Sequence, residues 1–402
     1  NIISTIIRPE GGTVVTFSSN EGNDSRLVGL YITGGDNGIV NAGIYCNEAS
    51  PTISNCHIAG NKCEAVKLIL SQAQIINNEI HGWPHFPEGP CDAITVNRSG
   101  PLIQDNIIYA DDPNGNIHAI NSEQVNHSPA FETTIRRNKI IGSISGRFSE
   151  VGANHFIDNN LFISGNGYSA AMNLTRGDSG LVIANNTLIG GNGIWIQNGD
   201  GPHIRNNIIA YSYRRIEIWS DFSSFENNNI WRCEEPYSGL ENQTGINGNI
   251  SEDPLFVDTA SHNYHLQVGS PCINTGTTEA GGMDLSPTDK SGLPRIVNDT
   301  IDMGAFENQS LTGITENEDD FRPLVYPNPV SGRVYVEFKN YNKKNIAVEI
   351  SDLKGKVIYF EEFNHKLTTF QCGIDLTKQS SGIYLLKIKR GKIVNTEKLV
   401  LQ

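Results

Sequence analysis

Seven short segments of this chain carry the side chains whose types and spacing could do chemistry. Each segment alternates apolar with mostly polar residues, which is the pattern of a half-buried strand that has one face in water. The outward side chains that we select as carbohydrate-binding candidates are Tyr45, Asn97, Asn121, Asn173, Trp195, Gln197 and Trp219. Aromatic faces stack on the C–H surfaces of sugar rings, and amides hydrogen-bond to sugar hydroxyls. The set therefore predicts a sugar-binding surface; the alternative is the ordinary polar outer face of a repeated strand.

The same face supplies four weaker candidates for catalysis, Lys67, His118, Glu123 and Glu217. A glycoside hydrolase needs two carboxyl groups about 5 to 9.5 Å apart. Glu123 and Glu217 lie four segments apart, about 19 Å if neighbouring strands stack about 4.8 Å apart, so they cannot be that pair. A polysaccharide lyase needs a base, such as Lys67 or His118, and a cation that neutralises the uronate. Asp92 and His118 occupy equivalent positions in successive segments, and there we expect a structural carboxylate–imidazole pair.

A six-residue phrase recurs between these segments: an apolar residue, a pair that usually contains asparagine, and a second apolar residue five places after the first. Eight copies begin at Ile53, Ile75, Ile103, Ile135, Ile157, Ile183, Ile204 and Phe225. The shortest interval between copies, as from Ile183 to Ile204, is about the length of one turn of a β-solenoid. The repeat therefore predicts an all-β solenoid.

One asparagine recurs at the fourth position of the phrase. The column consists of Asn78, Asn106, Asn138, Asn160, Asn186, Asn207 and Asn228, with Cys56 in the first copy. Asparagine tolerates left-handed backbone geometry, and its amide can bond to the amide of the next turn. We predict that these asparagines turn the chain and form a structural ladder along the solenoid axis; the alternative is a set of ordinary Asn-rich loops.

The strand Asp92-Ala-Ile-Thr-Val96 and the Asn-Asn-x-Ile turn resemble the right-handed parallel β-helix repeat of secreted bacterial proteins, over residues 1–250. The resemblance implies a right-handed parallel β-helix. Residues 251–307 contain Ser270-Pro-Cys-Ile-Asn-Thr-Gly276 and Ile301-Asp-Met-Gly-Ala-Phe-Glu307, which are similar to the closing module called choice-of-anchor Q. That module implies an end to the helix, followed by an exchangeable surface or secretion anchor.

The last part of the chain differs abruptly in composition. Residues 308–322 are polar and acidic with few apolar side chains, so we predict a linker there. Residues 323–402 contain Tyr326-Pro-Asn-Pro329, Val334-Tyr-Val-Glu-Phe338 and Ser381-Gly-Ile-Tyr-Leu-Leu-Lys-Ile388, which resemble the C-terminal sorting domain of the type IX secretion system. Their alternating strands also predict a small Ig-like β-sandwich. The resemblance implies that the type IX translocon is a partner and that the protein is secreted or held on the outer surface of a Bacteroidota-like Gram-negative bacterium.

Charge limits the possible partners. From Pro323 onward 13 Lys and Arg stand against 7 Asp and Glu, a net charge of +6, so the whole-chain charge of −14 leaves −20 for the part before Pro323. Such a surface repels nucleic acid over a Debye length of about 8 Å, and a pectin-like polyanion would need bound cations or a basic groove. We predict no nucleic-acid partner and no membrane span. Because the chain begins with β-helix sequence at Asn1, we expect a signal segment upstream of it.

Seven cysteines are present, namely Cys46, Cys56, Cys63, Cys91, Cys233, Cys272 and Cys372. An odd number leaves at least one unpaired if every bridge is internal, and none has the spacing of a metal site. We expect buried small residues, with at most one disulfide bridge among the first four. No metal site and no cofactor are predicted; Ca²⁺ is compatible with a lyase, but no clear carboxylate motif supports it.

Two functions of different classes follow from these observations. The first is a secreted β-helix protein that binds or processes a neutral or weakly charged extracellular polysaccharide along Trp195 and Trp219; if it is an enzyme, it is a polysaccharide lyase or glycoside hydrolase. The second is a non-catalytic surface adhesin, filament or structural spacer whose partner is another surface protein. The first requires water-accessible tryptophans, whereas the second requires tryptophans packed against a loop or another chain.

Overall fold

The computed structural model of this chain contains only strands and their connections in the part that it describes. The described residues are 5–9, 11–36, 42–62, 64–83, 91–110, 117–123, 131–148, 153–164, 170–199, 201–212, 216–219, 221–278, 286–309, 323–330, 332–339, 345–363, 369–390 and 393–402. Contacts divide the chain into two units, Asn1–Ser310 and Leu311–Gln402. The finer predicted limits at residues 250, 307 and 322 stay predictions.

The first unit consists of short strands, most of which recur three to a turn. In chain order they are β1 (Ile6–Ile7), β2 (Val15–Phe17), β3 (Arg26–Val28), β4 (Tyr31–Ile32), β5 (Ala42–Asn47), β6 (Thr52–Ser54), β7 (His57–Ile58), β8 (Glu64–Ile69), β9 (Gln74–Ile76), β10 (Glu79–His81), β11 (Ile94–Asn97), β12 (Leu102–Gln104), β13 (Ile107–Tyr109), β14 (Ile120–Glu123), β15 (Thr134–Arg136), β16 (Lys139–Ile141), β17 (Ile144–Phe148), β18 (His155–Asp158), β19 (Leu161–Ile163), β20 (Met172–Gly177), β21 (Leu181–Ala184), β22 (Thr187–Ile189), β23 (Ile194–Ile196), β24 (His203–Arg205), β25 (Ile208–Ala210), β26 (Ile216–Ile218), β27 (Ser224–Glu226), β28 (Asn229–Trp231), β29 (Tyr237–Ser238), β30 (Phe256–Asp258) and β31 (Asn263–Leu266).

Strands of successive turns stack into three parallel sheets. Sheet A has the order β1-β4-β7-β10-β13-β16-β19-β22-β25-β28, sheet B the order β2-β5-β8-β11-β14-β17-β20-β23-β26-β29, and sheet C the order β27-β24-β21-β18-β15-β12-β9-β6-β3. The predicted all-β parallel solenoid is therefore confirmed.

Aliphatic columns fill the interior between the three sheets. The first residues of the repeated phrase, from Ile53 to Phe225, are at most 1% exposed. They stack in register, as Ile53 on Ile75 and Ile75 on Ile103 show. Burial of one such side chain contributes about 1.5–3 kcal/mol, and each turn receives it only from its neighbours. The repeat thus builds one continuous core along the solenoid.

In the turn between sheets C and A, the left-handed backbone angle and the axial hydrogen bond belong to two adjacent residues. The prediction that the ladder asparagine provides both was wrong in part. Left-handed backbone angles occur at the residue before the ladder asparagine, for example at Asn77 (φ 56°) before Asn78 and at Arg137 (φ 52°) before Asn138. The ladder asparagine itself is buried and bonds along the axis. The side chain of the ladder asparagine must point inward to bond to the neighbouring turn of the solenoid. The side chain of the left-handed residue is free to point outward.

For one turn of the solenoid, the one that contains β17, the sequence pattern does not predict which side chains point inward. Its Ile144 stacks between Ile120 and Met172, and the register shifts after Gly146. A Cβ on Gly146 would lie 1.8 Å from the carbonyl oxygen of Ser122. Glycine therefore allows the close approach that produces this bulge.

Residues after the last solenoid turn fold back onto sheet A. β30 and β31 pair antiparallel, and their Phe256 and Leu266 form a buried cluster with Met303 and Ala305. The same cluster includes residues of the later sheet A strands, such as Ile208. This segment thus covers the outer face of sheet A over its last strands.

The second unit has two antiparallel sheets around a separate hydrophobic core. Its strands are β32 (Leu324–Tyr326), β33 (Arg333–Lys339), β34 (Ile346–Asp352), β35 (Val357–Phe363), β36 (Thr369–Asp375), β37 (Gly382–Arg390) and β38 (Ile393–Leu401). The sheet orders are β32-β33-β36 and β35-β34-β37-β38. Val336, Ile350 and Leu386 are fully buried in the core. These features form the predicted small β-sandwich.

Candidate functional site

Sheet B presents one outward side chain per strand in a single line, which we call the sheet B strip. Its described members include Tyr45, Lys67, Thr95, Asn121, Ser145, Asn173, Trp195 and Glu217, each in register with the next. Parallel stacking places successive members about 4.8 Å apart along the axis. The strip therefore offers hydroxyls, amides and an aromatic ring at regular intervals.

Trp219 is an exposed aromatic side chain on this surface, and it contacts Glu217. Trp219 is 62% exposed, and its Nε1 donates a hydrogen bond to Glu217 Oε1 at 2.6 Å. Glu217 lies in register with Trp195, and the Trp219 backbone N–H donates to Ile196 at 2.9 Å. Trp195 thus lies on β23, and Trp219 directly follows the neighbouring strand β26, where a carboxylate fixes the orientation of its indole.

Trp195 is half-buried, and its surroundings leave polar atoms unpaired. Trp195 Nε1 and Asn173 Oδ1 are buried and have no hydrogen-bond partner among the described residues. The two side chains are in register on β23 and β20. A buried donor or acceptor without a partner costs about 1–3 kcal/mol. A ligand hydroxyl that reached either atom would recover part of that free energy.

Asp92 connects two of the residues predicted from the sequence. Its Oδ1 accepts from the His118 backbone N–H at 2.7 Å and lies 3.0 Å from His118 Nδ1. Its Oδ2 accepts from Asn121 Nδ2 at 2.8 Å. The carboxylate thereby orients both the imidazole and the strip amide. Glu217 lies four strands away, so this pair does not converge with the Glu217 carboxylate.

The candidate Lys67 and a second cation of sheet B, Arg176, each have a carboxylate partner. Lys67 Nζ lies 3.0 Å from Glu64 Oε1 within β8, and Arg176 Nε donates to Asp178 Oδ1 at 3.1 Å. A cation that is paired with a carboxylate attracts a uronate less than a free one does, because the partner offsets its charge. These two cations therefore do not offset the net negative charge of the first unit.

A second outward column runs beside the strip. Asn97 and Glu123 are in register, and Glu123 is followed by Arg147. Glu123 is exposed, whereas Asn97 and Gln197 are half-buried. Ser145 and Arg147 were missed from the sequence because the bulge at Gly146 interrupts the alternation of β17. Glu123 and Glu217 are separated by four strands, as expected, and do not form a catalytic pair.

The ladder asparagines are not part of sheet B; they lie in the turn between sheets C and A. Asn78, Asn106, Asn138, Asn160, Asn186, Asn207 and Asn228 are joined by amide–amide hydrogen bonds of 3.0–3.1 Å. The line continues to Asn249, and Cys56 donates its backbone N–H to Asn78 Oδ1 at 2.9 Å. Their role is structural, since they are buried and bonded on both sides.

Cysteines do not contribute to the sheet B surface as ligands. Cys46, Cys56, Cys233, Cys272 and Cys372 are free thiols. Burial raises the pKa of Cys46 and of Cys272 to about 12, so both are protonated small residues. Cys63 lies outside the described residues. In the part of the chain that the structure describes, no three metal-ligating side chains meet on sheet B.

Comparison with known proteins identifies the second unit. Residues 324–402 match the secretion system C-terminal sorting domain, so the predicted type IX sorting domain is confirmed. The protein is secreted or displayed on the outer surface of a Bacteroidota-type Gram-negative bacterium, and the secretion system is its partner. No curated protein matches the chain. Resemblance of residues 251–307 to the choice-of-anchor Q module stays a prediction. Among the described residues there is no helix with the length and hydrophobicity needed to cross a membrane.

Proposed function

We propose that this secreted protein binds an extracellular polysaccharide along the sheet B strip and the outward column beside it, with Trp195 and Trp219 as the stacking platform. The observation that carries the proposal is the exposed Trp219 indole, held by Glu217 at 2.6 Å. An aromatic ring that is fixed before the ligand arrives loses little conformational entropy on binding.

The regular spacing supports an extended ligand that runs parallel to the solenoid axis. Such a chain meets a new side chain about every 4.8 Å. Asn121 is oriented by Asp92, and Asn173 has a buried amide oxygen without a partner. Hydroxyl groups of a glycan both donate and accept, so they suit a line of amides and hydroxyls.

Charge favours a neutral or weakly charged glycan. The part of the chain before Pro323 has a net charge of −20, because the rest contributes +6 to the total of −14. Lys67 and Arg176 are each paired with a carboxylate. A polyuronate would therefore meet net repulsion along much of the first unit.

A spacer or adhesin of the cell surface is the second candidate function. It is favoured by Trp195, whose indole N–H is buried within the protein. A solenoid with one continuous core and a bonded asparagine ladder is also a stiff scaffold. In that case the strip is the polar face of a stalk, and Trp219 contacts another surface protein.

The experiment is a tryptophan fluorescence titration of the full chain against plant, algal and bacterial polysaccharides, with product analysis of every hit. A saturable shift that disappears in Trp219→Ala and persists in Trp231→Ala supports the strip, because Trp231 lies on sheet A. New reducing ends or unsaturated products would make the protein an enzyme. Absence of any shift across the panel would reject glycan binding and favour the surface spacer.

A further inference from the structure

Two histidines and a glutamate meet on the outer face of sheet A, far from the strip on sheet B. His57 is on β7, and Glu79 and His81 are on the neighbouring strand β10, with His57 in register with Glu79. Ile80 between them is fully buried. Because side chains alternate along a strand, Glu79 and His81 both point outward, beside His57.

The distances within this triad suit a small cation. His57 Nδ1 lies 3.3 Å from Glu79 Oε2, and His81 Nε2 lies 3.0 Å from Glu79 Oε1. One ligand atom from each residue lies within 4.8 Å of both others. Tetrahedral zinc with bonds of about 2.0–2.2 Å keeps its ligand atoms roughly 3.4 Å apart. Small side-chain rotations are therefore enough to place three ligand atoms around one ion.

Two tyrosines on the flanking strands hold the imidazole rings. The His81 ring stacks on Tyr109 with centroids 4.4 Å apart and an interplanar angle of 14°. The His57 ring meets Tyr31 edge-on at 4.8 Å. Rings fixed in this way keep their nitrogens directed toward Glu79, which reduces the entropy lost when a ligand binds.

The triad can also be reached by an ion. The three side chains keep 29% to 45% of their surface exposed, so an ion can reach them from solvent.

We propose that His57, Glu79 and His81 bind a divalent transition-metal ion, Zn²⁺ in the first place, with the fourth position open to solvent. Two imidazole nitrogens and one carboxylate oxygen are ligands that suit zinc, whereas Ca²⁺ and Mg²⁺ require oxygen ligands. The ion joins two successive turns of the solenoid. The open fourth position gives the ion access to a water molecule or to a ligand atom from a partner.

The test is calorimetric titration of the chelator-treated full chain with ZnCl₂, with Co²⁺ absorption as a second readout. We expect one site per chain and a Co²⁺ spectrum of nitrogen and oxygen ligands without thiolate charge-transfer bands. The His57→Ala/His81→Ala double variant should lose affinity by more than about 100-fold, since loss of an outer-shell contact alone costs about 10–100-fold. The His203→Ala control should bind as the parent does, because this imidazole lies on sheet C beside Ser224.

Three results would overturn the proposal. They are the absence of a stoichiometric site in the parent chain, equal affinity in a double variant with an unchanged circular dichroism spectrum, and a thiolate-type Co²⁺ spectrum. In each of these cases the triad is a hydrogen-bonded surface cluster only. A Glu79→Gln variant separates charge from geometry: it keeps the side-chain shape and should weaken Zn²⁺ binding, because a neutral amide replaces the anionic ligand.

Discussion

Asn138 donates a hydrogen bond from its side-chain amide to the Asn160 side-chain oxygen at 3.0 Å, one turn further along the solenoid. The same amide group donates to the Ile103 carbonyl oxygen at 2.9 Å, and its oxygen accepts from the backbone and side chain of Asn106. Asn138 therefore bonds to both neighbouring turns, to Ile103 and Asn106 on one side and to Asn160 on the other. A buried polar group can be this well satisfied only where the repeat stays in register.

We predict that Asn138→Ala destabilises the first unit by about 3 kcal/mol or more. The substitution removes the hydrogen bond that Asn138 donates to the Ile103 carbonyl and the one that it accepts from the buried Asn106 N–H, and each such loss costs about 1–3 kcal/mol. Urea denaturation followed by circular dichroism measures the effect. Asn154→Ala is the matched control, since Asn154 is exposed and its change should stay within about 0.5 kcal/mol. Equal stabilities of the two variants would show that the ladder contributes nothing beyond packing.

The period of the sequence was enough to predict the solenoid and the place of the ladder, because both depend on the residue type at one repeated position. The period did not predict which residue of the turn has the left-handed backbone and which one forms the ladder, since asparagine suits both positions. The final ladder member, Asn249, was missed because its copy ends in Ser251 instead of an apolar residue.

The remaining features depend on contacts between distant residues. Asn185 donates to the Asp302 carbonyl, 117 residues away, and no local pattern encodes that contact. His57 and Glu79 are separated by one period of the repeat, but only the register of β7 with β10 places them side by side. Ser145 joins the strip through its register with Asn121 and Asn173, which only the pairing of β17 shows.

Gly146 is predicted to tolerate no side chain. In Gly146→Ala the new Cβ would lie 1.8 Å from the Ser122 oxygen, at a backbone φ of 119° that L residues rarely adopt. We expect a loss of more than about 3 kcal/mol in the free energy of unfolding, or failure to fold. Gly22→Ala should be close to neutral, because a Cβ there meets nothing within 4 Å. Thermal melting of the two variants compares them directly, and a native-like melting curve for Gly146→Ala would contradict the observed bulge.

His155 should make the first unit sensitive to acid. Burial lowers its pKa from 6.5 to about 4, with Nδ1 accepting a hydrogen bond from the Thr133 N–H at 3.2 Å. Below pH 6.5 the unfolded chain binds a proton that the folded chain does not. Stability is therefore complete above about pH 6.5 and falls as the pH drops toward 4, by about 3 kcal/mol in total.

Urea denaturation of the parent and of His155→Gln between pH 7.5 and 4.5 tests this expectation. Glutamine retains an acceptor for Thr133 but does not titrate, so the variant should lose stability less steeply on acidification. Other groups titrate in both proteins, and their effect cancels in the comparison. Parallel curves for the two proteins would show that folding does not lower the pKa of His155.

Glu217 is predicted to act on glycan binding by orienting Trp219. In Glu217→Ala the indole loses the partner of its N–H, and we expect about tenfold weaker binding of any polysaccharide that titrates the parent chain. Glu217→Gln should restore most of the affinity, because its amide oxygen still accepts from Trp219 Nε1. The titrations use the same fluorescence signal. Equal affinity for the parent and the alanine variant would show that Trp219 needs no fixed orientation.

Arg295 is predicted to hold the segment that covers the end of sheet A. This guanidinium is fully buried, with Nη2 donating to the carbonyl oxygens of Asp302 and Gly304 at 2.6 and 2.8 Å. Its Nε lies 3.6 Å from Glu307 Oε2. Removing this guanidinium takes the donor from two carbonyl oxygens in the interior, and each such loss costs about 1–3 kcal/mol, so we expect about 3–5 kcal/mol in all.

The Arg295→Ala variant should therefore lose about 3–5 kcal/mol of stability, mainly because the covering segment, residues 254–309, opens. The solenoid should stay folded, since the ladder asparagines make their bonds within it. Burial already raises the pKa of Glu307 to about 8, and without the nearby guanidinium its neutral form becomes still more favoured. Hydrogen exchange with mass spectrometry distinguishes a local from a global effect. Faster exchange confined to residues 254–309 is the expected result. Arg232→Ala, which removes an exposed cation 5.7 Å from the Trp231 ring, should cost less than about 1 kcal/mol. Uniformly faster exchange over the whole first unit would instead mean that the covering segment and the solenoid unfold together.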